Sequence, residues 1–230
     1  MIDLHTHILP GMDDGSKDAA ESAQMLTLLQ QQGVTAVAAT PHYYAKRESP
    51  EDFLRRREEA AARLPETPLP ILLGAEVAYF PGMGNCWELT DLQLGDTGLL
   101  LVEMPFIPWT DQMIREVCSI STWLGLTPVL AHVNRYRRGD QFPKYCRKLL
   151  ENNVLFQCNA EVFETFTGRL WAIRQLKQGN LHFLGSDCHN TTNRAPNIHL
   201  AAAAMHKKLG INACHDFHAQ VAQWVFPTNE

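Results

Sequence analysis

Residues 1–7 read MIDLHTH and residues 181–189 read LHFLGSDCH. Each is a short apolar run that ends in two metal-capable side chains one residue apart, His5 and His7 in the first and Asp187 and His189 in the second. Side chains alternate along an extended segment, so the members of each pair face one side. The same kind of ending recurs in between. Run 34–39 leads into Thr40-Pro41-His42, run 70–74 into Ala75-Glu76, run 98–102 into Glu103, and run 127–131 into His132.

These runs read as strands: Met1–Leu4, Val34–Ala39, Pro70–Gly74, Gly98–Val102, Thr127–Ala131, Val154–Gln157 and Leu181–Leu184. They are short, apolar and often β-branched, as strands covered on both faces are. Helical spacing fills the gaps. Ser16 is read as the cap of a helix running to about Gln32, with Gly33 just past its end and Ala19, Ala23, Leu26 and Leu29 on its apolar face. Residues 51–64 read as a charged, mostly solvated helix, and further helices are expected over 111–124, 142–150, 168–178, 199–209 and 213–224. Strands alternating with helices predict a parallel sheet and an α/β barrel. The irregular stretch 77–97 is expected to be an active-site loop.

In a β/α barrel the C-terminal strand ends converge on one face. His5, His7, Glu76, Glu103, His132, Asp187 and His189 would meet there, and His42 ends the second strand on the same side. A single His-x-His is weak evidence of a ligand, but the joint pattern over six strand ends is not. Imidazole with carboxylate suits zinc, iron or manganese. A bridging carboxylate such as Glu76 or Glu103 would allow two cations about 3.5–4 Å apart. Asp13-Asp14-Gly15 suits a turn in any case; given the cluster, Asp14 is favoured to reach a further cation. His182 is expected within a strand, and His199, His206, His215 and His218 are expected to be surface or packing residues.

The rest of the composition sets bounds. The chain has 230 residues, 45% hydrophobic and 20% charged, which suits one domain over 1–230. A formal net charge of −5 weighs against nucleic-acid binding. The start lacks a signal-peptide pattern, and no run approaches the ~20 apolar residues of a membrane span. Six scattered cysteines without a CxxC pair read as reduced thiols. Cytoplasm is the expected location.

Taken together, IDLHTHILPGMDDGS, ATPH around His42, GAEV around Glu76, LVEMP around Glu103, PVLAHVNRY around His132 and LGSDCHN around Asp187 resemble the PHP (polymerase and histidinol phosphatase) family over nearly the whole chain. The DDGS turn, Glu103, and Arg135 three residues after His132 are similar to its CpsB/YwqE-type branch, the bacterial tyrosine phosphatases of capsule and exopolysaccharide systems. The resemblance implies a distorted seven-stranded TIM-like (β/α)7 barrel with three divalent ions, Mn²⁺ foremost, with Fe or Zn as alternatives. It implies a first ion on His5, His7, Glu76 and Asp187, and a second on Glu76, Glu103 and His132. The third would sit on Asp14, His42 and His189. It also implies that Arg135 and Arg194 grip the substrate phosphate, and that the partner is a phosphotyrosine protein, the tyrosine-rich tail of a polysaccharide-export autokinase. His42 or Asp14 could act as the acid. Asn134 stands where family members commonly carry Glu.

Cys188 and Arg194 form a Cys-x5-Arg motif, the signature of thiolate-based phosphatases. That reading is disfavoured. The intervening residues contain no glycine to wrap a phosphate, Asp187 would raise the thiol pKa, and alternation points Cys188 away from the cluster. Arg137 and Arg138 extend a basic run after Arg135 and read as solvated. Rival functions are a small-molecule phosphatase acting on a histidinol-phosphate-like ester, a nuclease, and a non-catalytic metal-binding module.

Overall fold

The computed structural model describes residues 1–137, 139 and 141–226. Nine short strands occur among the described residues: β1 (Ile2–Thr6), β2 (Ala36–Ala39), β3 (His42–Tyr43), β4 (Ile71–Leu73), β5 (Glu76–Ala78), β6 (Leu99–Glu103), β7 (Thr127–Leu130), β8 (Leu155–Asn159) and β9 (Phe183–Gly185). Every named pairing is parallel. Thr40-Pro41 separates β2 from β3, and Gly74-Ala75 separates β4 from β5. Pro41 has no N–H for a ladder, so nine pieces are seven strands with the second and third interrupted. They follow one another in chain order around the sheet. The circle closes where the Asp187 N–H donates to the His5 carbonyl (2.8 Å) and the His7 N–H to that of Cys188 (2.9 Å).

The outer face of the sheet is covered by α1 (Ala19–Gln31), α2 (Pro50–Ala61), α3 (Asp111–Leu124), α5 (Gln141–Glu151), α6 (Phe166–Lys177) and α7 (His199–Leu209), with the short α4 (Val133–Tyr136) following β7. Val37, Leu100, Leu130 and Leu184 belong to the apolar cluster that includes Leu29, Val117, Leu149 and Met205 of these helices. The alternate strand residues Ala36, Ala38, Leu99, Leu101 and Val129 form a second cluster inside the barrel, which Val221 and Val225 of α8 (Ile211–Val225) join.

Several local expectations need correction. The cap of α1 is Asp18, whose carboxylate accepts the Glu21 N–H at 2.9 Å. Ser16 instead bonds the Ser22 hydroxyl at 2.8 Å and is buried beneath the turn. Ser22 and Met25 face the core with Leu26 and Leu29, while Ala19 is exposed and Ala23 only half-buried. On the mostly solvated helix α2, Phe53, Arg57 and Ala60 are the residues that are buried. His182 lies just ahead of β9; its Nδ1 accepts the Phe156 N–H at 3.0 Å. Stretch 77–97 is not an open active-site loop. Its two 3-10 turns, Met83–Asn85 and Trp87–Leu92, bury Met83, Leu89 and Leu92 in the core. A side chain at Gly84 would collide with α3.

Candidate metal centre

One irregularity aims the first pair of histidines. Asp3 of β1 pairs with Val37 and Thr6 with Ala39, so three steps along β1 match two along β2. The extra residue is a bulge, which resets the alternation of side chains. His5 and His7 therefore face inward together with Ile2 and Leu4, instead of opposite to them. Two close approaches keep this geometry. A Cβ at Gly185 would lie 2.6 Å from that of His5, and one at Gly15 would strike the His7 carbonyl. Two other members of the site adopt left-handed backbone without being glycine, His132 with φ 33° and Asp187 with φ 53°. Such conformations persist where the surroundings impose them, and they gather at functional sites.

The structure brings all nine candidate ligands to one mouth of the barrel. His5 Nε2 and His7 Nε2 are 3.2 Å apart. Glu76 Oε2 lies 3.2 and 3.4 Å from them, and Asp187 Oδ1 lies 3.6 and 3.4 Å away. On the other side of Glu76, Oε1 is 2.9 Å from His132 Nε2, which is 3.3 Å from Glu103 Oε1. Asp14 Oδ1 is 3.6 Å from His42 Nε2 and 3.5 Å from His189 Nε2. His42 serves two neighbourhoods, because its Nδ1 is 3.0 Å from Glu76 Oε2. His199, His206, His215 and His218 lie on α7 and α8, away from this cluster.

The donor set fits divalent cations. Glu76 Oε2, His42 Nδ1 and His189 Nε2 are buried and make no hydrogen bond, despite their close neighbours. Unsatisfied buried polar atoms cost roughly 1–3 kcal/mol each. Their lone pairs converge with those of His5, His7 and Asp187 in groups compact enough to hold an ion, and mixed imidazole and carboxylate donors suit a transition metal. Burial disfavours the ionised form of Glu76, but His5, His132 and His42 overcome it and hold the carboxyl well below its usual range. Burial, reinforced by charge on His7, pushes His189 down to about 4, so its ring is neutral and able to donate a lone pair.

Residues that carried no role in the sequence reading support the cluster. Asp13 Oδ2 sits 2.6 Å from His7 Nδ1 and also accepts the His42 N–H at 2.8 Å. The Asp13 carboxyl, though buried, is held far below its ordinary value by His7 and these N–H groups. Asp13 thus points inward as a support, and Asp14 is the one that faces the ligands. Gln157 Oε1 lies 3.2 Å from His5 Nδ1 and accepts the His132 N–H at 2.7 Å. Asn159 Nδ2 donates to Asp187 Oδ2 at 2.8 Å. The available signal was spacing: polar residues at 157 and 159 share one face of a strand that is otherwise apolar.

The two candidate phosphate-binding arginines meet at Asp187. Arg135 Nη2 is 2.7 Å from Oδ2, and Arg194 Nη2 is 2.9 Å from Oδ1. Arg135 Nε also donates to Glu161 Oε1 at 3.2 Å, as does the Asn134 amide. Arg137 turns away over Trp171, and Arg138 lies outside the described residues. Cys188 is fully buried, and burial with nearby Asp3 drives its thiol pKa well up, which disfavours the thiolate that a nucleophile needs.

A family profile described as "Capsular polysaccharide synthesis, CpsB/CapC" matches residues 1–226. The chain belongs to the CpsB/CapC family. It is 28% identical over 221 residues to the tyrosine-protein phosphatase YwqE of Bacillus subtilis (strain 168), covering 91% of this chain and 85% of that protein. It is 30% identical over 225 residues to the tyrosine-protein phosphatase CpsB of Streptococcus pneumoniae, covering 91% of each. A solved structure from the set "Crystal structures of YwqE from Bacillus subtilis and CpsB from Streptococcus pneumoniae, unique metal-dependent tyrosine phosphatases" matches with TM-score 0.80 and 24% identity, over 100% of this chain and 96% of the other. A histidinol phosphate phosphatase from Lactococcus lactis matches at TM-score 0.54 and 14% identity, over 90% of this chain and 93% of that one. These two matches establish a PHP-like, TIM-like fold for the CpsB/CapC chain. Among the described residues no helix is long and apolar enough to cross a membrane.

Proposed function

We propose that this CpsB/CapC chain is a metal-dependent tyrosine-protein phosphatase of capsule or exopolysaccharide synthesis, acting on the phosphorylated tail of a tyrosine autokinase. The carrying observation is the convergence of nine imidazole and carboxylate side chains, His132 through its contacts with Glu76 and Glu103, beside two arginines at the open end of the barrel. His5, His7, Glu76 and Asp187 would hold one divalent ion, Glu76, Glu103 and His132 a second, and Asp14, His42 and His189 a third, with Mn²⁺ the favoured metal. When bound, the ions supply positive charge to the phosphoryl oxygens and acidify a water toward neutrality.

The chain's own residues do the rest. Arg135 and Arg194 present planar forks that match two phosphate oxygens. Asp187 holds both in place, and Asn159 and Gln157 fix the carboxylate and the rings behind them. Phenolate needs little protonation on departure, since phenol has a pKa of about 10. That removes the demand for a strong acid; His42 or Asp14 could serve as one only where not fully committed to metal.

The test uses metal-stripped protein with and without Mn²⁺ on a tyrosine phosphopeptide, histidinol phosphate and single-stranded DNA. Mn²⁺ is expected to restore hydrolysis, with the phosphopeptide preferred. Preference for histidinol phosphate would move the assignment to a small-molecule phosphatase, and cleavage of DNA to a nuclease.

A further inference from the structure

Next to the metal centre, the segment MPFIPW (residues 104–109) leaves two large apolar side chains in water, Phe106 63% and Ile107 58% exposed. The segment is pinned, not loose. Tyr136 donates its hydroxyl to the Met104 carbonyl at 2.7 Å, and the Trp109 indole donates to that of Pro105 at 2.9 Å. Pro105 and Pro108 restrict the backbone on either side of the pair. These residues wall a cavity of about 350 Å³, completed by Trp109, Tyr136, Phe142 and Arg135. That is room for a phenyl ring and part of its peptide.

The cavity is continuous with the chemistry. The Phe106 ring stacks on His132 with centroids 5.8 Å apart and planes 17° apart, while His132 Nε2 reaches Glu76 and Glu103. Arg135, which contacts Asp187, forms the shared wall. A second cavity at the centre, of about 750 Å³, is lined mostly by charged residues such as Asp14, Arg47, Asp52 and Arg56, with Tyr44 and His42 as its rings. In a phosphotyrosyl ester the ring is one oxygen away from phosphorus, so it must lie beside the phosphate site. An aromatic, apolar wall receives such a ring edge-on or offset without stripping water from charged groups. We infer that the Phe106–Ile107 cavity is the aryl subsite, which seats the phenyl ring of the substrate and sets preference for aryl over alkyl phosphates. This rests on the tyrosine-phosphatase reading and deepens it.

Calorimetry of the metal-loaded protein with benzylphosphonate and with methylphosphonate separates the ring from the anion. Phe106→Ala is expected to weaken benzylphosphonate about tenfold and methylphosphonate by less than about twofold; Ile107→Ala should show the same selectivity at smaller size. Both side chains are largely solvent-exposed, so folding should survive either change. Equal weakening of both ligands, unchanged benzylphosphonate binding, or a selective loss in Tyr44→Ala of the second cavity would overturn the subsite. Hydrolysis of a phosphotyrosine peptide by the unaltered protein is run alongside. Its absence, with alkyl phosphates still cleaved, would reject the tyrosine-phosphatase reading and the aryl subsite with it, a result distinct from any variant outcome.

Discussion

His5, His7, Glu76 and Asp187 expose at most 2% of their side chains, whereas Asp14 exposes 65%, Glu103 17% and His42 14%. The floor of the centre is buried and braced by Asp13, Gln157 and Asn159; the rim is exposed and carries Arg135 and Arg194. Buried donors held by neighbours are preorganised for an ion, and exposed ones leave room for water and substrate. Damage to the floor should therefore remove metal, while damage to the rim should leave metal in place and impair the substrate.

The most severe test of that contrast is His7→Ala. It should cost metal and lower phosphopeptide hydrolysis on the order of a thousandfold or more, as read by metal content and turnover together. Retained metal with lost turnover would break the contrast. Arg194→Lys keeps the charge but loses the fork. A fall in kcat/KM of roughly ten- to a hundredfold is expected, with metal content unchanged. Asp13→Asn removes the brace of His7 and should weaken metal affinity about ten- to a hundredfold, with activity recovered at excess Mn²⁺. If excess metal fails to rescue it, Asp13 does more than orient the ring.

Two smaller effects separate the site from the scaffold. His182 sits behind β8 with its Nδ1 accepting a backbone N–H, and burial lowers its pKa to about 4. The unfolded chain binds this proton more readily, near pH 6.5. Stability is thus full above pH 6.5 and is lost as pH falls through about 4, by about 2 kcal/mol after allowing for partial exposure. Denaturant melts of His182→Gln should lack this component. Cys188→Ser should change the turnover of folded protein by less than about twofold; a loss comparable with that of His7→Ala would restore the thiolate mechanism.

The helix-bounded strand rhythm was legible because hydrophobic period and length differ between the two element types, and His5, Glu76, His132 and Asp187 were legible because each closes an apolar run. Other features were not. Ser16 and Asp18 are both good cap residues, and only the packing of the turn over Ser22 selects between them. Residues 77–97 look like a loop by glycine and polar content, yet Met83, Leu89 and Leu92 supply a core contact that local propensity does not report.

Eight of the nine candidate side chains, all but the turn residue Asp14, and their placement near strand ends follow from the order of residues, because alternation and barrel closure depend on short-range pattern. Which way they point does not. The bulge between Asp3 and Thr6, the left-handed backbone at His132 and Asp187, and the choice of Asp14 over Asp13 all depend on a neighbouring strand or turn far away in the chain. A one-residue shift in register reverses every side chain that follows, and register is a property of two strands, not of one.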